Sequence, residues 1–219
     1  MATILCLETA TTNCSVAISV DGKIKAIREE NSQKFSHAEK LHVFIDEVLK
    51  DAKIEKKELD AIAVSKGPGS YTGLRIGVSA AKGLCFALEI PLISSPTLEV
   101  LAQQVEEDVQ YIIPLLDARR MEVYSAVFNS KKEQIRETRA EILKEHSFID
   151  FLKEGKAIFI GDGTVKFEAI CNHKNAIFKC DAFPSSAEMA CLAETKYKIG
   201  DTENVAYFEP YYLKEFMLG

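Results

Sequence analysis

The sequence contains no run of eighteen apolar residues, no C-x-x-C pair and no basic stripe. A membrane-spanning helix needs about 20 consecutive apolar residues, so none is expected. The opening, MATILCLETA, lacks the basic start and long apolar core of a secretion signal, and a cytoplasmic protein is expected. Cys6, Cys14, Cys85, Cys171, Cys180 and Cys191 show no metal or redox spacing, and several stand in apolar runs. That usage favours buried free thiols in a reducing compartment over disulfides. Residues 1–110 carry 12 basic against 16 acidic side chains and residues 111–219 carry 15 against 17, for a net charge of −6. Such a chain is a poor RNA or DNA binder by itself, and a partner must supply most phosphate contacts if nucleic acid is involved. What remains is a 219-residue chain, 47% hydrophobic and 27% charged, which suits one globular domain or two small ones.

The hydrophobic pattern alternates between two periods. TILCL (3–7) reads as a buried strand, and SVAISV and KIKAI flank Asp21-Gly22, a strong two-residue hairpin signal. Ser36 and Glu39 form an S-x-x-E capping box that opens a helix to about Lys50. AIAVS (61–65) is a strand running into GPGSYTG and an apolar helix; PLISS (91–95) is another strand, and Thr97 begins a helix to about Glu106. The order then restarts. YIIPLLDARRMEVYSAVFNSKKEQI (111–135) repeats the opening, with Asp117 where Glu8 stood, and AIFIGDGTV (157–165) echoes AIAVSKGPG (61–69). Two copies of one element order predict a duplicated α/β fold. Its two lobes, residues 1–107 and 108–219, each carry a mixed sheet with flanking helices. This ground plan resembles the actin-like, RNase H-like fold of the ASKHA superfamily, which includes actin, sugar kinases and heat-shock ATPases and binds ATP between lobes.

The parts such ATPases need are missing. Glu8 is followed by Thr-Ala-Thr-Thr and Asp117 by Ala-Arg-Arg, with no glycine to let backbone amides close around a phosphate. A Walker loop has four residues between its glycines and then Lys; here five residues separate Gly67 from Gly73, and Leu74 follows. GPGSYTG is read as a tight structural turn in preference to a phosphate site. Ser70 is no nucleophile elbow, because Pro68 and Thr72 stand where the glycines of G-x-S-x-G belong. His37 and His42 lie five apart, about 500° of helical rotation, and therefore point about 140° from each other. They are read as helix-surface residues. No cofactor, no metal and no catalytic residue is expected.

The helices of the first lobe are more informative. Leu41, Phe44, Ile45, Val48 and Leu49 make an apolar stripe about 140° wide. After Gly73, the residues Leu74, Val78, Ala81, Cys85 and Leu88 form one face, while Ile76, Ala80, Gly83 and Ala87 form a small-residue face opposite. Arg75, Ser79 and Lys82 occupy a narrow sector between them. A helix apolar nearly all round is covered on both sides, either wholly inside its own protein or by a second protein.

Three motifs, ILCLETATTNCSVAI, GPGSYTGLRIGVSAAKGL and DARRMEVYSAVF, resemble the bacterial TsaB (YeaZ) family, and the likeness runs through Pro-Tyr-Tyr-Leu-Lys near the end. That family supplies the non-catalytic subunit of the tRNA threonylcarbamoyladenosine (t6A) complex. The resemblance implies the duplicated actin-like fold, a heterodimer with a TsaD-like paralogue, a TsaE-like ATPase as third member, and a homodimer in isolation. TsaD transfers threonylcarbamoyl onto the adenosine beside the anticodon of ANN-decoding tRNAs, so tRNA is reached only through the complex. The motif residues carried over are Gly67, Pro68, Gly69, Ser70, Thr72, Gly73, Leu74, Gly77, Asp117 and Arg119. The implied partner interface comprises Leu41, Phe44, Ile45, Val48, Tyr71, Arg75, Ile76, Ser79, Ala80 and Gly83. TsaD carries an H-x-x-x-H metal pair where this sequence aligns Thr97 and Leu101, neither a good ligand. Glu8 stands where the family has Asp, and Lys214 where it has Arg. The competing classes, a sugar-kinase-type phosphotransferase and a glycoprotease-like peptidase, each need a site the sequence does not display.

Overall fold

In the computed structural model, which describes residues 2–32 and 37–214, two five-stranded sheets share one strand order. The first contains β1 (Thr3–Glu8), β2 (Asn13–Val20), β3 (Lys23–Asn31), β4 (Ala61–Gly67) and β5 (Leu92–Pro96), in the order β3-β2-β1-β4-β5. The second contains β6 (Tyr111–Asp117), β7 (Glu122–Asn129), β8 (Gln134–Ile142), β9 (Ala157–Ile160) and β10 (Ala176–Lys179), in the order β8-β7-β6-β9-β10. In each, an antiparallel meander of three strands is followed by two strands parallel to the first. The duplication expected from the sequence is therefore a duplication of topology. The helices are α1 (His37–Ala52), α2 (Tyr71–Leu88), α3 (Thr97–Ala102), α4 (Ile149–Glu154), α5 (Thr164–Glu168) and α6 (Ser186–Ile199).

Local chemistry explains the joints. Asp21 and Gly22 have φ of 54° and 73°, the doubly left-handed geometry of a type I′ turn. Ser36, half of the expected capping box of α1, lies outside the described residues. The helix expected from Thr97 to Glu106 stops at Ala102. There the Gln104 and Val105 amides bond to the carbonyls of Leu101 and Ala102, three residues back, and the α-helical ladder ends.

The first sheet is covered on both faces, and the period of two assigns them. Leu5, Leu7, Val16, Ile18, Ile62 and Val64 join α1 and α2 in one core. Ile4, Cys6, Ala61, Ala63 and Ile93 face the other way, onto Met189, Ala190 and Ala193 of α6. This return of α6 moves the expected division at residue 107. The compact units are residues 1–100 with 184–219, and residues 101–183. A last helix whose small apolar face fits the first sheet belongs with that sheet, whatever its distance along the chain. The second unit's core is aromatic, with Phe148, Phe159 and Phe167 meeting edge to face at centroid distances of 4.7–5.4 Å.

Cys6, Cys14, Cys85 and Cys171 are buried, Cys180 is half-buried, Cys191 is exposed, and all are free thiols. No described helix is long and apolar enough to cross a membrane.

Candidate partner-docking surface

At the end of β1, where the ATPases of this fold place an aspartate, Glu8 is fully buried. One of its carboxyl oxygens accepts from the Ala10 amide at 2.7 Å and the other from the Ser65 hydroxyl. Burial pushes its pKa up from 4.5 to about 7, partly offset by those hydrogen bonds. Beside it the GPGSYTG loop folds onto residues 9–10. The Ser70 amide donates to the Ala10 carbonyl at 2.6 Å, and Ser70 Oγ caps α2 by accepting from the Gly73 amide at 3.2 Å. Thr9 Oγ1 donates to the Gly73 carbonyl at 2.8 Å. A Cβ on Gly73 would stand 2.1 Å from the Thr9 carbonyl oxygen, so that position has room for glycine alone. On the far side the Tyr211 amide donates to the Lys66 carbonyl at 2.7 Å, just before Gly67 and Pro68. The Ser70 and Gly73 amides, spent on the chain's own carbonyl and hydroxyl, are not available to cradle a phosphate.

The second sheet repeats the plan with different chemistry. Its strand-end acid, Asp117, is exposed, accepts from the Arg119 amide and pairs with Lys166 at 3.0 Å. The Asp117 amide donates to Asp162 at 2.9 Å, and the Gly163 amide to the Leu115 carbonyl at 3.0 Å. Asp162 is raised above the ordinary carboxylate range by burial. Here too the glycine loop is closed by its own chain. Among the described residues no group of three or more His, Cys, Asp or Glu side chains could hold a metal ion, and Thr97 and Leu101 are fully buried.

An open groove of about 730 Å³ lies between α1 and α2 in the first unit. The first helix contributes Ala38 and His42; the second contributes Tyr71, Thr72, Arg75, Ile76, Ser79, Ala80, Gly83 and Leu84. Six residues of the expected interface, Tyr71, Arg75, Ile76, Ser79, Ala80 and Gly83, thus share one surface. The opposite face of α2, with Leu74, Gly77, Val78, Ala81 and Cys85, is buried. The groove-facing positions Thr72, Arg75, Ser79 and Gly83 of α2 are exposed.

Four expected interface residues are elsewhere. Leu41, Phe44, Ile45 and Val48 are buried in the first unit's core, because the α1 stripe faces the sheet. The helix positions turned to the groove are Ala38 and His42, one turn apart, which look unremarkable in the sequence. His37, expected on the surface, is buried with Nε2 2.7 Å from the Thr11 carbonyl, and desolvation lowers its pKa. Gly77 serves the interior as well: a Cβ there would be 2.3 Å from Thr9 Oγ1, whereas a Cβ on Gly83 would meet nothing within 4 Å. The sequence reading also passed over Phe86. It is 83% exposed and lies about 20° round the helix from Ser79. An aromatic residue in the solvent sector was the available signal.

Comparison with known proteins bears on what this surface is for. A family model described as "TsaD: tRNA N6-adenosine threonylcarbamoyltransferase" matches residues 29–214. The tRNA threonylcarbamoyladenosine biosynthesis protein TsaB of Haemophilus influenzae is 31% identical, over 97% of this chain and 93% of that protein. The chain belongs to the TsaB family. The solved structure of YeaZ from Pseudomonas aeruginosa superposes with a TM-score of 0.81 at 26% identity, over 97% of this chain and all of that one. A tRNA N6-adenosine threonylcarbamoyltransferase of Pediococcus pentosaceus is 37% identical over 41% of this TsaB-family chain but only 30% of its own length. The chain therefore shares part of its sequence with the transferases.

Proposed function

We propose that this chain is the non-catalytic scaffold of the t6A machinery, pairing in the cytoplasm with a TsaD-like transferase that modifies the adenosine beside the anticodon. A TsaE-like ATPase joins the pair, and tRNA is engaged by the assembly. The observation that carries this reading is the open groove between α1 and α2, on a unit whose GPGSYTG loop spends its Ser70 and Gly73 amides on its own chain. The groove is apolar along Ile76, Ala80 and Leu84, and the exposed Phe86 lies on the same helix about 20° round from the groove residue Ser79. Gly83 and Ala80 let another helix backbone approach closely. A buried core flanked by an aromatic anchor is the composition of a protein-binding hot spot.

The test is a pull-down with the TsaD-like partner beside a thermal melt. Ala80→Arg places a long cation in the groove and should weaken pairing by about 100-fold or more, the scale of an unpaired charge in a tight contact. Because Ala80 is half-buried against the core edge, Phe86→Ala serves as a second variant: its side chain makes no buried contact and its melt should be native. Unchanged pairing in both variants refutes docking through this surface.

A further inference from the structure

The charges around the groove are unequal. Among the described residues no aspartate or glutamate lines it, although acids outnumber bases in the chain as a whole, and Arg75 is the one permanent cation in the lining, with His42 on the other helix. Arg75 takes part in none of the ion pairs found among the described residues. Its guanidinium instead stands 4.7 Å from the centroid of the Tyr71 ring. Tyr71 is braced in turn by Tyr212, with ring centroids 4.8 Å apart.

Tyr212 does not stand there by chance. The segment before it is strapped along α2: Lys82 Nζ donates to the Ala206 and Phe208 carbonyls at 3.2 and 2.8 Å, and Tyr211 bonds to Lys66. The C-terminal strap therefore braces Tyr71, and Tyr71 holds a guanidinium at the groove wall that no carboxylate among the described residues pairs with. An arginine restrained in this way loses little freedom when it meets a planar carboxylate.

We propose that Arg75 is the specificity-determining residue of this groove, and that the groove accepts an apolar helix of a different chain bearing an aspartate or glutamate opposite Arg75. This rests on the docking role proposed above. A second copy of this chain, joined groove to groove, would bring another Arg75 and His42 and no carboxylate from the groove lining. It would leave both guanidinium groups unpaired in a shrinking volume of water. Discrimination between the paralogue and a second copy then follows from charge, on a surface whose apolar part suits either.

The experiment is calorimetric titration of the purified chain with the TsaD-like paralogue at low and high salt, with self-association followed by sedimentation. Arg75 is exposed, so its variants should melt as the wild type does. Arg75→Gln should lower affinity for the paralogue about 30-fold or more, the scale of a lost partner in a desolvated charge pair, and leave self-association equal or stronger. Wild-type affinity should fall as salt is added, and that of Arg75→Glu should rise, since screening relieves repulsion. If Ala80→Arg abolishes pairing while Arg75→Gln stays within about threefold of wild type, the charge selection is wrong and docking stands. If Arg75→Gln weakens self-association as much as hetero-pairing, Arg75 serves the second copy and the inference falls. If Ala80→Arg and Phe86→Ala leave pairing intact, the docking role itself falls.

Discussion

Replacing Glu8 by Gln should make the protein more stable at pH 8 and no different at pH 4. The wild-type carboxyl is fully buried at the end of β1, and burial raises its pKa from 4.5 to about 7. Three hydrogen bonds, from Ser65, Ala10 and Thr9, pull the value back down, and Glu29 adds a small upward push. Because the folded value is the higher one, the fold favours the protonated acid. The stabilisation is complete below pH 4.5 and is lost as pH rises through 7. At 1.36 kcal/mol per unit, the loss is about 3 kcal/mol by pH 8. That is about a fifth to three-fifths of the net stability of an ordinary domain. Glutamine keeps an acceptor for the Ala10 amide and offers an N–H to Ser65, and it does not ionise.

The assay is urea denaturation of wild type and Glu8→Gln from pH 4 to pH 8.5, with the difference between the two midpoint curves as the readout. Taking the difference removes other titrating groups that both chains share, such as His37, Glu99 and Asp162. The variant should gain on the wild type between pH 4.5 and 7 and hold a constant lead above that. Parallel curves would refute the buried-acid argument. A variant less stable at every pH would mean that the carboxylate, not the acid, is the form the Ser65 and Ala10 donors select.

The topology was legible because it rests on local signals that agree. Period-two strands, the Asp21-Gly22 turn and a second copy of the same order each lead to one sheet plan. The destination of an apolar stripe was not. Leu41, Phe44, Ile45 and Val48 gain the same free energy whether the surface covering them is their own sheet or another protein, and sequence records only the stripe. Gly77 and Gly83 present the same ambiguity. Both read as places for close approach, and only the fold reveals that Thr9 already occupies one of them. The return of α6 to the first sheet was hidden for another reason: no residue near 107 or 184 states which of two similar sheets a distant helix will join. Glu8 is the instructive case at the site. An acid at a strand end in this fold suggests a ligand, yet its surroundings are Ser65 and the amide of Ala10, which make it a buried strut.

Two further predictions follow from the same contacts. The chain alone should show no threonylcarbamoyl transfer and hold no stoichiometric metal, since the resemblance aligns the buried Thr97 and Leu101, poor ligands both, with the transferase's histidine pair; one tightly held zinc or iron per chain in elemental analysis contradicts this. The last concerns the two glycines of α2. Gly83→Ala removes a poor helix former from a position with nothing within 4 Å of the new Cβ, so the isolated chain should gain up to about 1 kcal/mol. In a protein of this size that is about 2–4 °C in Tm. Gly77→Ala has the same intrinsic gain, but its Cβ would overlap Thr9 Oγ1 at 2.3 Å and force that side chain off the Gly73 carbonyl. Overpacking costs about 1–3 kcal/mol, and the lost hydrogen bond adds to it, so the net change is destabilising. Pairing separates the two positions a second time. Gly83→Ala adds a methyl to the wall of the groove and should weaken the TsaD-like partner's binding in a chain that melts higher. A Gly83→Ala chain that gains stability and pairs as well as wild type would place the partner's helix somewhere other than against Gly83.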